Sequence, residues 1–173
     1  AQRLIKRVFR PTHFYEDAML REVLSMPKVD LFISGFPCQP YSLQGKRLCL
    51  ADPSGAVVNA SLQYIEHHKP SMVILENVLG LQFGPLGHIF DRLVSAGYTI
   101  DAAILNTNNF GLPHNRKRLY IVAVQGRDTT HIVFPKPVTS TIALANLITP
   151  LVGVEWRQAP VIKYRRENVM RHY

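Results

Sequence analysis

The chain has 173 residues, 47% of them hydrophobic and 18% charged, which is the composition of one globular domain. No apolar run nears the roughly 20 residues needed to cross a bilayer, and Ala1 to Arg7 are too polar for the centre of a secretory signal. The formal charge of +8 gathers at the two ends: Arg3, Lys6, Arg7 and Arg10 stand unopposed in residues 1–10, and Arg157, Lys163, Arg165, Arg166 and Arg171 face Glu155 and Glu167 in residues 151–173. Such a surplus is the footprint of a polyanion partner, and also of many solvated surfaces. A membrane surface is open on charge alone, but no amphipathic basic helix stands out, and no membrane partner is expected. Cys38 and Cys49 read as thiols in a reducing interior. The histidines lack zinc-ligand spacing, so no metal is expected either. The expected setting is intracellular, cytoplasm in a prokaryote and nucleus in a eukaryote.

In chain order, Met19, Val23 and Leu24 suggest a short helix before a first strand, Asp30 to Ser34. A turn-rich loop follows, Gly35-Phe36-Pro37-Cys38-Gln39-Pro40-Tyr41-Ser42. Val58, Leu62 and Ile65 then fall at helical spacing, ahead of a second strand, Ser71 to Leu75. Leu86, Ile89, Phe90, Leu93 and Val94 form a clean amphipathic stripe that ends near Gly97. Strands are expected over Tyr98 to Leu105 and Leu119 to Val124. Phe134-Pro135-Lys136-Pro137 reads as an extended link, Thr141 to Leu147 as a short helix, and nothing is assigned beyond Pro150. Short, nearly continuous apolar strands alternating with helices predict an α/β domain with a mostly parallel sheet and helices on both faces. In such sheets ligands sit beyond the carboxyl ends of the strands.

Three segments at those ends carry chemistry. Cys38 follows the first strand in a loop whose backbone is set by a glycine and two prolines. A thiol with a pKa of about 8.5 is only slightly ionised at neutral pH, so a nucleophile here needs a positive or hydrogen-bonding neighbour. Glu76, in Leu75-Glu76-Asn77-Val78, ends the second strand and can face Cys38 across one cleft; taken by itself it reads rather as a capping or lysine-paired carboxylate. Arg116 and Arg118 lead into the last strand one residue apart, so both project to one side. Two guanidiniums can fork onto phosphate, carboxylate or a base carbonyl, although a lone basic cluster is usually a solvated edge.

Taken together and in this order, Pro37-Cys38-Gln39, Glu76-Asn77-Val78 and Arg116-x-Arg118 resemble the cytosine-5 DNA methyltransferase family over about residues 14 to 137. The resemblance implies a Rossmann-like fold, S-adenosyl-L-methionine as cofactor, and double-stranded DNA as partner with its target cytosine flipped out. It implies that Cys38 adds to carbon 6 of the base and that Glu76 protonates ring nitrogen 3. Arg118 would hold the base carbonyl, and Arg116 a backbone phosphate and the cysteine loop. Phe36, Gln39, Ser42, Asn77 and Val78 would position the substrate. Asp17, followed by Ala18, stands where the family meets the cofactor's adenine, and Pro37 and Val57 match positions lining its pocket; a solvated aspartate is the competing reading of Asp17.

The resemblance also has gaps. The family's glycine-rich cofactor loop is not found in this sequence, nor are the target-recognition region and final motifs apart from whatever Pro150 to Tyr173 begins, so residues 1–137 are expected to be a partial catalytic domain and 138–173 the start of a recognition region or an irregular tail. Ser54 stands where an arginine is usual, and His114 where a glutamine is. Three expectations follow. The chain is a fragment of an active enzyme, or a truncated remnant that binds nucleic acid without methyl transfer, or a relative acting on transfer RNA. Ser42, where the RNA branch usually has threonine, favours DNA. Weak binding of S-adenosylmethionine by the chain alone is expected.

Overall fold

The computed structural model describes residues 2–37, 56–126, 132–138 and 142, all within the compact unit Ala1–Ile142. Cys38, Gln39, Ser42, Ser54 and the expected helix over 141–147, apart from Ile142, lie outside the described residues. Seven regular helices and strands occur among the described residues: α1 (Gln2–Phe9), β1 (Leu31–Ser34), α2 (Ala56–His68), β2 (Met72–Asn77), α3 (Leu86–Ser95), β3 (Tyr98–Asn106) and β4 (Lys117–Gln125). All four expected strands and the two helices read from apolar spacing are present. The helix expected around Met19 to Leu24 is instead a single 3-10 turn, Val23–Ser25, with Leu20 and Leu24 exposed. Pro27 follows too closely for the pattern to propagate, and a few residues cannot repay helix nucleation.

The sheet order is β1-β2-β4-β3. β1 and β2 run parallel through the α2 crossover, with Ser34 opposite Leu75. β4 is antiparallel to both of its neighbours. The expected predominance of parallel pairing therefore gives way to a mixed sheet. Residues 107–116 between β3 and β4 are too few for a parallel crossover, which takes a dozen residues or more, so β4 must turn back. β2 and β3 point the same way across the inserted β4, which makes β2-α3-β3 a second crossover.

Both crossovers step in the same direction across the sheet, so the right-handed rule places α2 and α3 on one face. Val58, Leu62 and Ile65 of α2 and Ile89 and Leu93 of α3 pack there against Val73, Leu75, Leu119, Ile121 and Ala123. Each of these aliphatic side chains is almost fully buried, worth about 1.5–3 kcal/mol for each Val, Leu and Ile on the usual area scale. Arg92 of α3 ties the two helices together through hydrogen bonds to Glu66 of 2.6 and 2.5 Å. Tyr98 begins β3 from within this core, its hydroxyl donating to the Pro70 carbonyl at 2.7 Å. Burial pushes its pKa up to about 12.

The opposite face of the sheet is lined by apolar side chains. Met72, Ile74, Tyr120, Val122 and Val124 form there, with Ile132–Pro135, an apolar groove of about 590 Å³. α1 is the helix that the sequence reading passed over. Its Leu4, Ile5, Val8 and Phe9 are exposed, beside a basic stripe of Arg3, Lys6 and Arg7. It is held locally by Lys6, which lies 3.7 Å from Glu16 and 4.4 Å from the centre of the Phe14 ring. No helix among the described residues is long and apolar enough to cross a membrane.

Candidate active site

β1 and β2 are parallel neighbours, so their carboxyl ends deliver Gly35-Phe36-Pro37 and Glu76-Asn77-Val78 to the same edge of the sheet. Pairing with β4 carries β2 on through Glu76 and Asn77, opposite Tyr120 and Leu119. Both residues thus lie within the strand rather than after it. Alternation along the strand turns them to opposite faces. Asn77 points into the core, 2% exposed, while Glu76 looks out beside Arg118.

The buried amide of Asn77 joins the two strand ends. Its Nδ2 donates to the Phe36 carbonyl at 3.2 Å, and its Oδ1 accepts from the Val78 backbone N–H at 2.8 Å. A polar side chain this deeply buried is stabilising only because both halves are bonded. Phe36 is itself buried in the hydrophobic core. It anchors the start of the cysteine loop from below.

Arg118 sits inside β4, not before it, because the β3–β4 ladder begins at Asn106 and Lys117. Its Nε donates to Glu76 Oε1 at 2.9 Å, and its Nη1 donates to the Lys117 carbonyl at 2.8 Å. The other oxygen of Glu76 approaches Gly35 so closely that a Cβ there would lie 3.2 Å from it. Arg116 is exposed, its backbone held by hydrogen bonds to His114 and Thr107. Gly35, Phe36, Pro37, Glu76, Asn77, Val78, Arg116 and Arg118 line one hollow of about 320 Å³. It offers one carboxylate and two guanidiniums over an apolar floor, a set suited to a planar polar ring with an attached phosphate.

The residues matched to cofactor positions do not share one hollow. Pro37 opens on the hollow just described, whereas Asp17 lies with Phe14, Tyr15, Glu16, Leu20 and Arg21 around another of about 290 Å³. Asp17 Oδ1 accepts from the Met19 N–H at 2.7 Å. Ala18 is half-buried, and Val57 packs on the edge of the core. An exposed carboxylate beside two aromatic rings fits the adenine end of S-adenosylmethionine. Arg21 at the rim keeps a buried Nε with no hydrogen-bond partner among the described residues, and burial lowers its pKa. Among the described residues no group of three or more His, Cys, Asp or Glu is placed to hold a metal ion.

Residues 2–153 match the family model of the C-5 cytosine-specific DNA methylases. The chain belongs to that family. The chain is similar to the type II methyltransferase M.HaeII of Haemophilus aegyptius, 39% identical over 127 residues, which are 71% of this chain and 39% of that protein. M.MspI of a Moraxella species is 36% identical over 121 residues, 67% of this chain and 29% of its own length. The chain thus spans about two fifths or less of these relatives. The fold is shared with the Entamoeba histolytica methyltransferase EhMeth, at a TM-score of 0.68 and 18% identity over 85% of this chain and 48% of that one. It is shared too with a Spodoptera frugiperda DNMT2 mutant, at a TM-score of 0.64 and 21% identity over 86% and 49%. The mixed sheet is therefore an incomplete Rossmann-like methyltransferase fold.

Three contributors to the site escaped the sequence reading. Gly35 reads in the sequence only as a turn former, and its lack of a Cβ leaves room for the Glu76 carboxylate to sit where it does, 3.2 Å from where that atom would be. Asn106 and Thr107, which bond the loop before Arg116, open the stretch Asn106 to Val124 that resembles the family's motifs, but no role is assigned to them from the sequence.

Proposed function

We propose that this chain forms the base-binding part of a DNA cytosine-5 methyltransferase, in which Cys38 attacks a flipped-out cytosine. The contact between Glu76 and Arg118, beside the loop that leads to Cys38, is the observation that carries this reading. Carbon 5 of cytosine is a poor nucleophile. Addition of the Cys38 thiolate to carbon 6 makes carbon 5 enamine-like, and the electron pair displaced into the ring is met by a proton on nitrogen 3. Glu76 supplies that proton, a role typically worth about 10²–10⁴ in rate. Arg118 donates to the base carbonyl from the same side, and Arg116 takes the adjoining phosphate. Phe36, Asn77 and Val78 keep the two strand ends in register, while Gln39 and Ser42 position the base from the cysteine loop. S-adenosylmethionine supplies the electrophilic methyl group when bound, with Asp17 and Ala18 at its adenine and Pro37 and Val57 along its pocket. Loss of the carbon 5 proton then expels the Cys38 sulfur and frees the methylated base. Residues 138–173 belong, on this reading, to the region that begins target recognition.

The test is covalent trapping on duplex DNA containing 5-fluorocytosine, because fluorine at carbon 5 blocks the final elimination. The chain is compared with Cys38→Ala, and both are repeated in a chimera completed by the flanking portions of M.HaeII. An adduct that depends on Cys38 is expected. An adduct that survives Cys38→Ala, or none in the folded chimera, would overturn the reading. Trapping on RNA in place of DNA would move the substrate.

A further inference from the structure

We infer that Thr107, assisted by Asn106, is a positioning residue for Arg116. The consequence for binding rests on the methyltransferase reading above, whereas the clamp itself rests on geometry alone. Three consecutive residues of the approach to β4 are each tied to the end of β3. Thr107 Oγ1 donates to the His114 carbonyl. Asn106 Nδ2 donates to Asn115 Oδ1 at 2.9 Å. The Thr107 backbone N–H donates to the Arg116 carbonyl at 3.2 Å.

The remaining polar group of Thr107 is used in the same loop. Its carbonyl accepts from the Gly111 N–H at the left-handed turn, φ 86°, and from the Leu112 N–H at 3.3 Å. Two short links complete the loop, from the His114 N–H to the Leu112 carbonyl at 2.7 Å and from the Arg116 N–H to the His114 carbonyl at 3.1 Å. Thr107 is thus the knot on which residues 111 to 116 are tied.

The two arginines of the site differ in how they are held. Arg118 is fixed at its guanidinium, by Glu76 and the Lys117 carbonyl. The Arg116 guanidinium has no hydrogen bond or ion pair among the described residues, and its side chain is exposed at the lip of the hollow. Its reach over that hollow is therefore set by where its backbone is held. That is the role of Thr107.

The experiment uses the full chain, isotope-labelled, as wild type, Thr107→Val and Thr107→Ser. Amide hydrogen exchange is followed residue by residue, and affinity for a cytosine-containing duplex is measured with and without Arg116→Gln. Losing the hydroxyl bond in Thr107→Val should speed exchange at Arg116 by about 2- to 10-fold, the equivalent of one ordinary hydrogen bond. Exchange at Ala123 in the sheet centre should not change, and Thr107→Ser should restore the wild-type rate. Duplex affinity should fall by a similar factor in Thr107→Val, and should not fall further when Arg116 is already glutamine. Unchanged exchange at Arg116, faster exchange throughout the sheet, or equal losses with and without Arg116 would each overturn the assignment. Undetectable duplex binding by the wild-type chain counts against the DNA reading, and exchange at Arg116 still decides the clamp.

Discussion

Arg118 Nε donates to Glu76 Oε1 at 2.9 Å, across two antiparallel strands whose register sets Glu76 opposite Tyr120. Arg118 is two residues from that partner, so it reaches the carboxylate diagonally on the same face of the sheet. The pair therefore exists because β4 runs antiparallel beside β2. Both side chains remain partly solvated, at 19% exposure for Arg118 and 30% for Glu76.

That solvation separates the energetic role of the pair from its chemical one. Glu76→Gln should cost about 1 kcal/mol of stability or less, as partly exposed ion pairs do. The rate of adduct formation on 5-fluorocytosine DNA should fall by about 10²-fold or more, the usual worth of a positioned proton donor. Urea midpoints and trapping rates on the same preparations check both. A fall in trapping no larger than the fall in folded fraction would remove the chemical role.

Gly35→Ala tests how closely the carboxylate must sit. The new methyl group would meet Glu76 Oε2 at 3.2 Å, so the flexible carboxylate must shift by a few tenths of an ångström. Stability should change by about 0.5 kcal/mol or less, while trapping slows measurably. Equal trapping rates for the two proteins would show that the site tolerates this displacement.

Asn77→Ala should behave in the opposite way. It removes the buried bond to the Phe36 carbonyl and the part-buried bond from the Val78 N–H. A loss of about 2 kcal/mol is expected from the urea midpoint, about one for each hydrogen bond. Asn77→Asp should be no better, since it places a carboxylate where an amide N–H₂ was donating.

Alkaline stability should depend on Tyr98. Its folded pKa of about 12 lies above the ordinary 10.0, so the unfolded chain loses its phenolic proton first. The contribution is intact below about pH 10 and is lost as pH rises from there toward 12. Tyr98→Phe should cost about 1 kcal/mol at neutral pH by losing the bond to Pro70, and should flatten this alkaline limb. Urea midpoints from pH 8 to 11.5 measure both, and a Phe variant falling as steeply as wild type would place the effect elsewhere.

Local pattern made much of the fold legible. The strands around Val73 and Ile121 are short apolar runs, and Leu86 to Val94 repeats at 3.6 residues per turn; both signals lie within one element. α1 is not legible although its pattern is equally local, because its apolar pairs Leu4-Ile5 and Val8-Phe9 alternate with basic ones and its residues stay exposed. The mixed direction of the sheet was not legible. An apolar run does not encode which way a strand points; the length of the 107–116 connection does, once β3 and β4 are known to be neighbours.

By itself, the sequence determined the family and the residue types at the site, because Pro37-Cys38-Gln39, Glu76-Asn77-Val78 and Arg116-x-Arg118 are covalent neighbours within each segment. Only the tertiary structure decided how they meet. It turned Asn77 inward to bind the Phe36 carbonyl and Glu76 outward to Arg118, it kept Asp17 in a separate hollow from Pro37, and it made Thr107 the support of Arg116. Those relations depend on strand pairing between segments distant in the chain, and hydrogen bonds of a few ångströms form only after hydrophobic burial has set that register.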